Sequence, residues 1–212
     1  EELRLEWSLH DNRERARVVI LASHASHSLA DLHYRWKSGE YHCDIPCEIA
    51  NHENLRSTVE WHGIPFHYVP INKERKQEAF AQIDDIIDRH RATTVVLARF
   101  MQIFPASLCA KYEGQLINIH HSFLPSFIGA TPYQKAYDRG VKLIGATCHY
   151  VTTDLDEGPI IEQDVVRVDH SYGKEDLVRL GRDVERSVLS RGVSYHLEHR
   201  VIIYGNRTVV FR

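Results

Sequence analysis

The residues best suited to do chemistry are a short motif, Asn118-Ile119-His120, and a later acidic loop that holds Asp154, Asp156 and Glu157. Because side chains alternate along a strand, Asn118 and His120 would project from the same face. A carboxylate beside an imidazole raises the pKa of the ring and fixes which nitrogen carries the proton. An amide, an imidazole and a carboxylate can together polarise a carbonyl, stabilise an oxyanion and move a proton.

These residues also have structural interpretations. An isolated Asn-x-His pair is a weak signal, and the acids of the loop suit solvated turn positions. His121 would point away from the face of His120, and His149 lies within a strand, so both are expected to be buried, hydrogen-bonded histidines. Zinc could bind His120, His149 and Asp156, but no ligand pair has the i, i+4 spacing of a helical metal motif.

The elements that position the motif alternate in type along the chain. Short β-branched runs without alternation predict strands buried on both faces, and amphipathic stretches between them predict helices. We therefore expect an α/β fold with a doubly wound, mostly parallel, Rossmann-like sheet, antiparallel edge strands and a C-terminal hairpin. In such sheets, ligands bind beyond the carboxyl ends of the strands. Pro46 favours an edge or irregular position for its strand. The predicted strands are 17–22, 44–50, 66–69, 94–98, 116–120, 143–151, 160–168, 201–204 and 208–211, and the predicted helices are 28–38, 53–62, 73–90, 105–112, 132–139 and 174–200.

Composition excludes several classes of function. The 212 residues include 26 basic and 29 acidic side chains, a net charge of −3, which is a poor match for nucleic acid. The four cysteines are too sparse for a disulfide scaffold, and we expect them to be reduced and buried. Reduced cysteines are typical of a cytoplasmic protein, which is therefore expected. No apolar run has the length of a membrane span.

Further residues around the motif resemble a known family. Ser122, Leu124-Pro125 and Gly129 follow His120, and Leu155-Asp156-x-Gly158 comes later. With the stretch 97–103, these motifs resemble the folate-dependent formyltransferase fold family over about residues 16–212. Two departures, a glycine-free first loop at 23–27 and His121 where transferases usually carry proline, make the chain similar to the formyltetrahydrofolate deformylases within that family. Segment 145–150 and the closing hairpin add to that similarity.

The resemblance implies that 10-formyltetrahydrofolate is hydrolysed to tetrahydrofolate and formate, which supplies formate for one-carbon and purine metabolism. It implies that Asn118, His120 and Asp156 are catalytic, with no metal and no cofactor. The residues implied to bind substrate are Arg99, Phe100, Met101, Gln102, Ile103, Phe104, His121, Gly129, Thr152, Thr153, Leu155 and Glu157. Backbone groups of the 99–104 and 152–157 segments would read the edge of the pterin.

Three alternatives stay open from the sequence. They are a formyltransferase with another amine acceptor, a catalytically silent folate-binding protein, and a metal-dependent hydrolase. The family resemblance also predicts that residues 1–15 are a linker from an absent N-terminal domain of the ACT type, and that 16–212 are the catalytic domain. A homo-oligomer is expected, with neither nucleic acid nor membrane as partner.

Overall fold

In a computed structural model, the chain is described at residues 7, 9–11, 13–125 and 132–212. A mixed sheet of seven strands forms its centre. The strands are β1 (Ala16–Ala22), β2 (Cys43–Ala50), β3 (Phe66–Tyr68), β4 (Thr94–Ala98), β5 (Leu116–His120), β6 (Leu143–Tyr150), β7 (Ile160–Arg167), β8 (Val201–Tyr204) and β9 (Arg207–Val210). The α-helices are α1 (His27–Lys37), α2 (Arg56–Trp61), α3 (Lys76–Arg89), α4 (Ala106–Lys111), α5 (Pro132–Arg139) and α6 (Lys174–Leu197), and a 3-10 turn (Glu53–Leu55) precedes α2.

The sheet has the order β3-β2-β1-β4-β5-β6-β7. The first five of these strands are parallel, whereas β6 is antiparallel to both β5 and β7. Strands β8 and β9 form a separate antiparallel hairpin. The predicted fold class is thus confirmed, including the antiparallel strands and the terminal hairpin.

Helices cover both faces of the sheet, as its mostly apolar strands β1, β4 and β5 require. Helices α1, α2 and α6 pack on one face, around side chains such as Ile20, Ile117 and Ile119. Helices α3 and α4 pack on the other face, around Leu97 and Leu116. Since Ile117 and Ile119 face α6, strand alternation directs Asn118 and His120 toward the layer of α3 and α4. None of the described helices is both long and apolar enough to span a membrane.

Several predicted boundaries are corrected by local hydrogen bonds. Helix α3 begins at residue 76 rather than 73, because the side chain of Asn72 accepts a 2.8 Å hydrogen bond from the backbone N–H of Arg75 and closes a turn first. Helix α6 ends at residue 197 rather than 200, where His199 adopts a left-handed backbone with φ 55°. The predicted helix at 53–62 divides into the 3-10 turn and α2.

Strand β2 is not an edge strand, since it lies between β1 and β3. Pro46 is accommodated by an irregularity of register between the pairs Arg17–Asp44 and Val19–Cys47. The pairing of β2 with β3 begins only at Glu48, so Pro46 needs no hydrogen-bonded partner on that side. The prediction of an edge was therefore wrong, and the prediction of an irregular position is confirmed.

Candidate active site

The catalytic candidates lie together on the α3 and α4 side of β5. The His120 Nδ1 atom is 3.3 Å from Asp156 Oδ2, in the loop between β6 and β7. The other carboxylate oxygen, Oδ1, is 3.8 Å from His149 Nε2. The structure therefore brings together the two motifs that the sequence places far apart, and it adds a second histidine to them.

The ring of His149 connects Asn118 to this group. Its Nδ1 atom donates to the backbone carbonyl of Tyr150 at 2.8 Å, and its Nε2 atom accepts from Asn118 Nδ2 at 3.2 Å. Burial is the main reason that the pKa of His149 lies below its usual value, so the ring is neutral at pH 7. His149 thereby orients the Asn118 amide and leaves the second N–H of that amide for a ligand.

His120 has one ring nitrogen committed and one available. Its Nδ1 atom faces Asp156, while its Nε2 atom is buried and has no hydrogen-bond partner among the described residues. A buried polar atom without a partner costs free energy, which a bound ligand or water would recover. This is the arrangement needed to donate a proton or hydrogen bond to a substrate.

Asp156 is held as a carboxylate. Burial alone would raise its pKa, but the hydrogen bond from His120 and the nearby His120 and His149 rings outweigh burial, so the pKa lies below its ordinary value. Its backbone is left-handed, with φ 58°, a conformation that Asp and Asn tolerate better than most residues. Gly158 is required two positions later, because a Cβ there would lie 1.8 Å from the carbonyl oxygen of Tyr150.

These side chains open onto a cavity of about 350 Å³. Met101, Ile103 and Leu155 line it although each is more than half exposed, so apolar side chains are available to a ligand. The cavity is lined by Leu97, Arg99, Phe100, Met101, Gln102, Ile103, Phe104, Cys109, Asn118, Ile119, His120, His121, His149, Val151, Thr152, Thr153, Leu155 and Asp156. Of the predicted site residues, Glu157 is exposed and does not line the cavity, and Gly129 lies outside the described residues.

The acidic loop does not lie where a parallel sheet would place it. Because β6 is antiparallel to β5, its last residues pair with the beginning of β5, with Tyr150 opposite Ile117. The loop starts at that edge and folds back over the sheet until Asp156 reaches His120 at the carboxyl end of β5. The loop therefore reaches the motif by folding back along β5 rather than by extending beyond its carboxyl end.

His121 is a neutral, buried side chain that lines the same cavity. Burial, together with the positive charge of Arg99, lowers the pKa of His121 to about 3. Because β5 ends at His120, strand alternation no longer dictates the direction of the next side chain. The prediction that it is buried is confirmed, but it lies beside the site, with its ring centroid 5.4 Å from that of His120.

Sequence reasoning missed the residues that anchor Arg99. The Arg99 Nε atom lies 3.4 Å from Oε2 of Glu185, which also contacts His27 Nε2 at 2.8 Å. The hydroxyl of Tyr133 donates to the other Glu185 oxygen at 2.5 Å. Arg99 has a left-handed backbone, with φ 63°, at the start of the cavity loop. The available signal was an acid on the buried stripe of α6, since such a residue needs partners.

The first loop supports the cavity loop as well. The Ser23 hydroxyl donates to Asn51 Oδ1 at 2.7 Å and accepts from the backbone N–H of Met101 at 3.1 Å. The Ser23 hydroxyl thus positions the 99–104 segment. This role is consistent with the lack of glycine in the 23–27 loop, which makes the loop poorly suited to bind a phosphate group.

The donor set at this site suits proton transfer better than metal binding. Both ring nitrogens of His149 are engaged, one by the Tyr150 carbonyl and one by Asn118. A ring in that state has no lone pair to offer an ion. The alternative of zinc held by His120, His149 and Asp156 therefore does not fit the geometry.

Fold and site together define an α/β protein with a histidine–carboxylate pair that opens onto a partly apolar cavity. The chain belongs to the formyl transferase family, whose model matches residues 16–193. The structure of a formyltetrahydrofolate deformylase from Pseudomonas syringae pv. tomato str. DC3000 is 58% identical to the chain, with a TM-score of 0.96, over 98% of this chain and 70% of that one.

Two further relatives place the chain within that family. The formyltetrahydrofolate deformylase of Corynebacterium sp. (strain P-1) is 50% identical over 208 residues, covering 98% of this chain and 73% of that protein. A phosphoribosylglycinamide formyltransferase from Anaplasma phagocytophilum is 30% identical, with a TM-score of 0.85, over 94% and 96% of the two chains. The family resemblance seen in the sequence is confirmed, and the identities favour the deformylases over this transferase.

Proposed function

We propose that the protein hydrolyses 10-formyltetrahydrofolate to tetrahydrofolate and formate. The observation that carries the proposal is the convergence of the Asn118 amide and the unpartnered Nε2 of His120 on one cavity, with Asp156 behind His120. The apolar side chains around the cavity suit the flat pterin and aryl groups of a folate. Similarity to the deformylases supports the same assignment.

Catalysis begins when water adds its oxygen to the formyl carbon and negative charge develops on the formyl oxygen. The second N–H of Asn118 and a protonated His120 would donate to that oxygen. One such donor typically contributes about 3 kcal/mol to the stability of the transition state. Because His149 and Asp156 already fix the two donors, little reorganisation is needed when the charge appears.

The second step breaks the bond between the formyl carbon and N10. His120 is placed to give N10 its proton, while Asp156 holds the imidazole and accepts or relays the proton released by water. In sum, water gives its oxygen to the formyl carbon and one proton to N10, the bond from the formyl carbon to N10 breaks, and formate leaves with the second proton released to solvent. No nucleophilic side chain takes part in this sequence.

The residues around His121 support water as the acceptor. A transferase must hold an amine against the formyl carbon and exclude water. Here Ser23 is committed to Met101 and Asn51, and His121 is a neutral ring that can accept a hydrogen bond from water. We infer that His121 positions the attacking water.

The deciding experiment measures formate and tetrahydrofolate from the full chain and 10-formyltetrahydrofolate, with no amine acceptor and with a chelator present. Equal amounts of both products, lost in Asp156→Asn and kept in Asp154→Asn, support the hydrolase. Folate binding without release of formate would instead support a transferase that awaits its acceptor or a silent binding protein. Activity that the chelator abolishes would support a metal-dependent hydrolase.

Four predictions from the sequence accompany this proposal. They are that the enzyme uses no cofactor, that it forms a homo-oligomer, that it is cytoplasmic, and that residues 1–15 link the catalytic domain 16–212 to an ACT-type domain. Light scattering of the purified chain gives its mass in solution and so tests the second. The chain spans about 70% of the length of the Pseudomonas syringae relative.

A further inference from the structure

A group of metal-ligating side chains lies away from the catalytic cavity. Cys47 of β2, His67 of β3 and His90, which follows α3, each offer one donor atom, and these atoms all lie within 4.8 Å of one another. The three residues come from three elements that are distant in sequence. A cluster of this composition is not explained by folate chemistry, because two strands, β1 and β4, separate β2 from β5.

The chemistry of the three donors matches a borderline-soft divalent ion. One thiolate and two imidazoles are ligands that zinc takes in proteins, with bonds of about 2.3 Å to sulfur and about 2.0 Å to nitrogen. Tetrahedral geometry with those bonds would place the donors roughly 3.3–3.7 Å apart. The donor atoms lie within 4.8 Å of one another, so binding an ion would require them to move closer by about 1 Å, and both histidines are only partly buried.

A second observation points to a missing ligand at this place. The Nε2 atom of His67 is buried and has no hydrogen-bond partner among the described residues. The ring centroids of His67 and His90 are 5.7 Å apart, so the two imidazoles lie beside each other. Neutral imidazole is the form that binds a metal.

Two arginines near the cluster would repel a metal ion, but each is engaged with another group. Arg17 directs its Nε to the backbone carbonyl of His90 at 2.7 Å, and Arg89 is paired with Asp85 at 2.8 Å. Burial raises the pKa of the Cys47 thiol to about 12, whereas the same two arginines oppose that rise. A divalent ion would displace the thiol proton to solvent and form the metal–sulfur bond in its place.

We propose that Cys47, His67 and His90 form a binding site for one divalent transition-metal ion of the zinc class, with a fourth position open to water. The site joins the three-residue edge strand β3 to β2 and to the end of α3. Its expected effect is to stabilise that edge of the sheet, and it is independent of the hydrolysis proposed above.

The test uses the full chain, stripped of metal, with Zn²⁺ and with Co²⁺ as a spectroscopic probe. We expect one bound ion per chain, a thiolate-to-cobalt charge-transfer band, and a rise in Tm of about 5–10 °C when zinc is at a hundredfold excess over its Kd. Cys47→Ser should remove the band and weaken binding by about a hundredfold or more. Cys43→Ser is the matched control, because Cys43 is buried on the same strand but packs on the opposite face of the sheet.

His90→Gln provides a second variant at a partly exposed position, in case Cys47→Ser impairs folding. It should weaken zinc binding to a similar extent while the chain stays folded. A chain that takes up no cobalt, or one whose binding and charge-transfer band survive in both Cys47→Ser and His90→Gln, would overturn the proposal. The latter result would assign the ion to a site built on another of the four cysteines.

Discussion

Replacing Asp156 by asparagine removes a charge and little else. Asparagine has nearly the same shape and also tolerates the left-handed backbone found here, φ 58°. The 3.3 Å contact between Asp156 Oδ2 and His120 Nδ1 corresponds to about 5 kcal/mol of attraction at an effective dielectric constant of about 20. Part of this is offset, because asparagine still offers a hydrogen-bond acceptor and the carboxylate no longer has to be desolvated. A net loss of about 2–4 kcal/mol remains.

That loss should appear in kcat. His120 must be protonated when N10 leaves, so weaker support of the imidazolium raises the barrier of that step. About 2–4 kcal/mol corresponds to a decrease of roughly 30- to 1000-fold. KM should change little, since most of the lining of the cavity comes from the 99–104 and 151–155 segments.

The assay is formate release under single-turnover and steady-state conditions, with folate binding measured separately by fluorescence. Asp154→Asn is the control, because Asp154 is exposed in the same loop and does not line the cavity. Tm of both variants should stay within about 4 °C of the parent. A kcat for Asp156→Asn within about threefold of the parent, in a folded protein that binds folate, would refute the assigned role.

Three further predictions concern the surroundings of this pair. His121→Pro should lower hydrolysis more than folate binding, because it removes the group assigned to the attacking water; equal losses of both would contradict that assignment. Glu185→Gln leaves Arg99 without its buried counter-charge and should cost about 3 kcal/mol, lowering Tm by about 6–12 °C and raising KM. The exposed Asp183→Asn on the same helix should cost at most about 0.5 kcal/mol, and equal Tm values for the two variants would remove Glu185 from its anchoring role. The pKa of His121, lowered to about 3, means that its protonation favours unfolding, so stability is complete above about pH 6.5 and falls by up to about 1.4 kcal/mol per pH unit below it. Urea unfolding at pH 7 and pH 5 should show a smaller decrease for His121→Gln than for the parent, and identical decreases would exclude this contribution.

The sequence was sufficient to predict most of the elements, because hydrophobic periodicity depends on local spacing alone. The strand at 94–98 and the helix at 132–139 have the same bounds in the structure as in the prediction. Pro46 shows the limit of such reasoning: a proline predicts an irregularity, but it does not indicate which strands will lie on either side. That information comes from the order of strands in the sheet.

The same limit explains which site residues were found. Asn118 and His120 share a strand, so their common face follows from alternation. His149 joins them only through the antiparallel register that places it opposite Asn118. The local sequence around a mid-strand histidine does not indicate that register. Glu185 lies 158 positions from its partner His27, and its role depends on α1 and α6 packing on the same face. Contacts of this kind arise from tertiary packing and have no local signature.

The active site is completed because β6 runs antiparallel to β5. In a fully parallel sheet, side chains at the carboxyl ends of β4 and β5 would meet loops only beyond the strands. Here the antiparallel neighbour places His149 beside Asn118, and the loop that follows it brings Asp156 to within 3.3 Å of His120. The 99–104 loop, anchored through Arg99 to α6, lines the same cavity. An insertion or deletion in the 151–159 loop should therefore reduce turnover even where Asp156 itself is kept, because the length of the loop sets how far the carboxylate reaches.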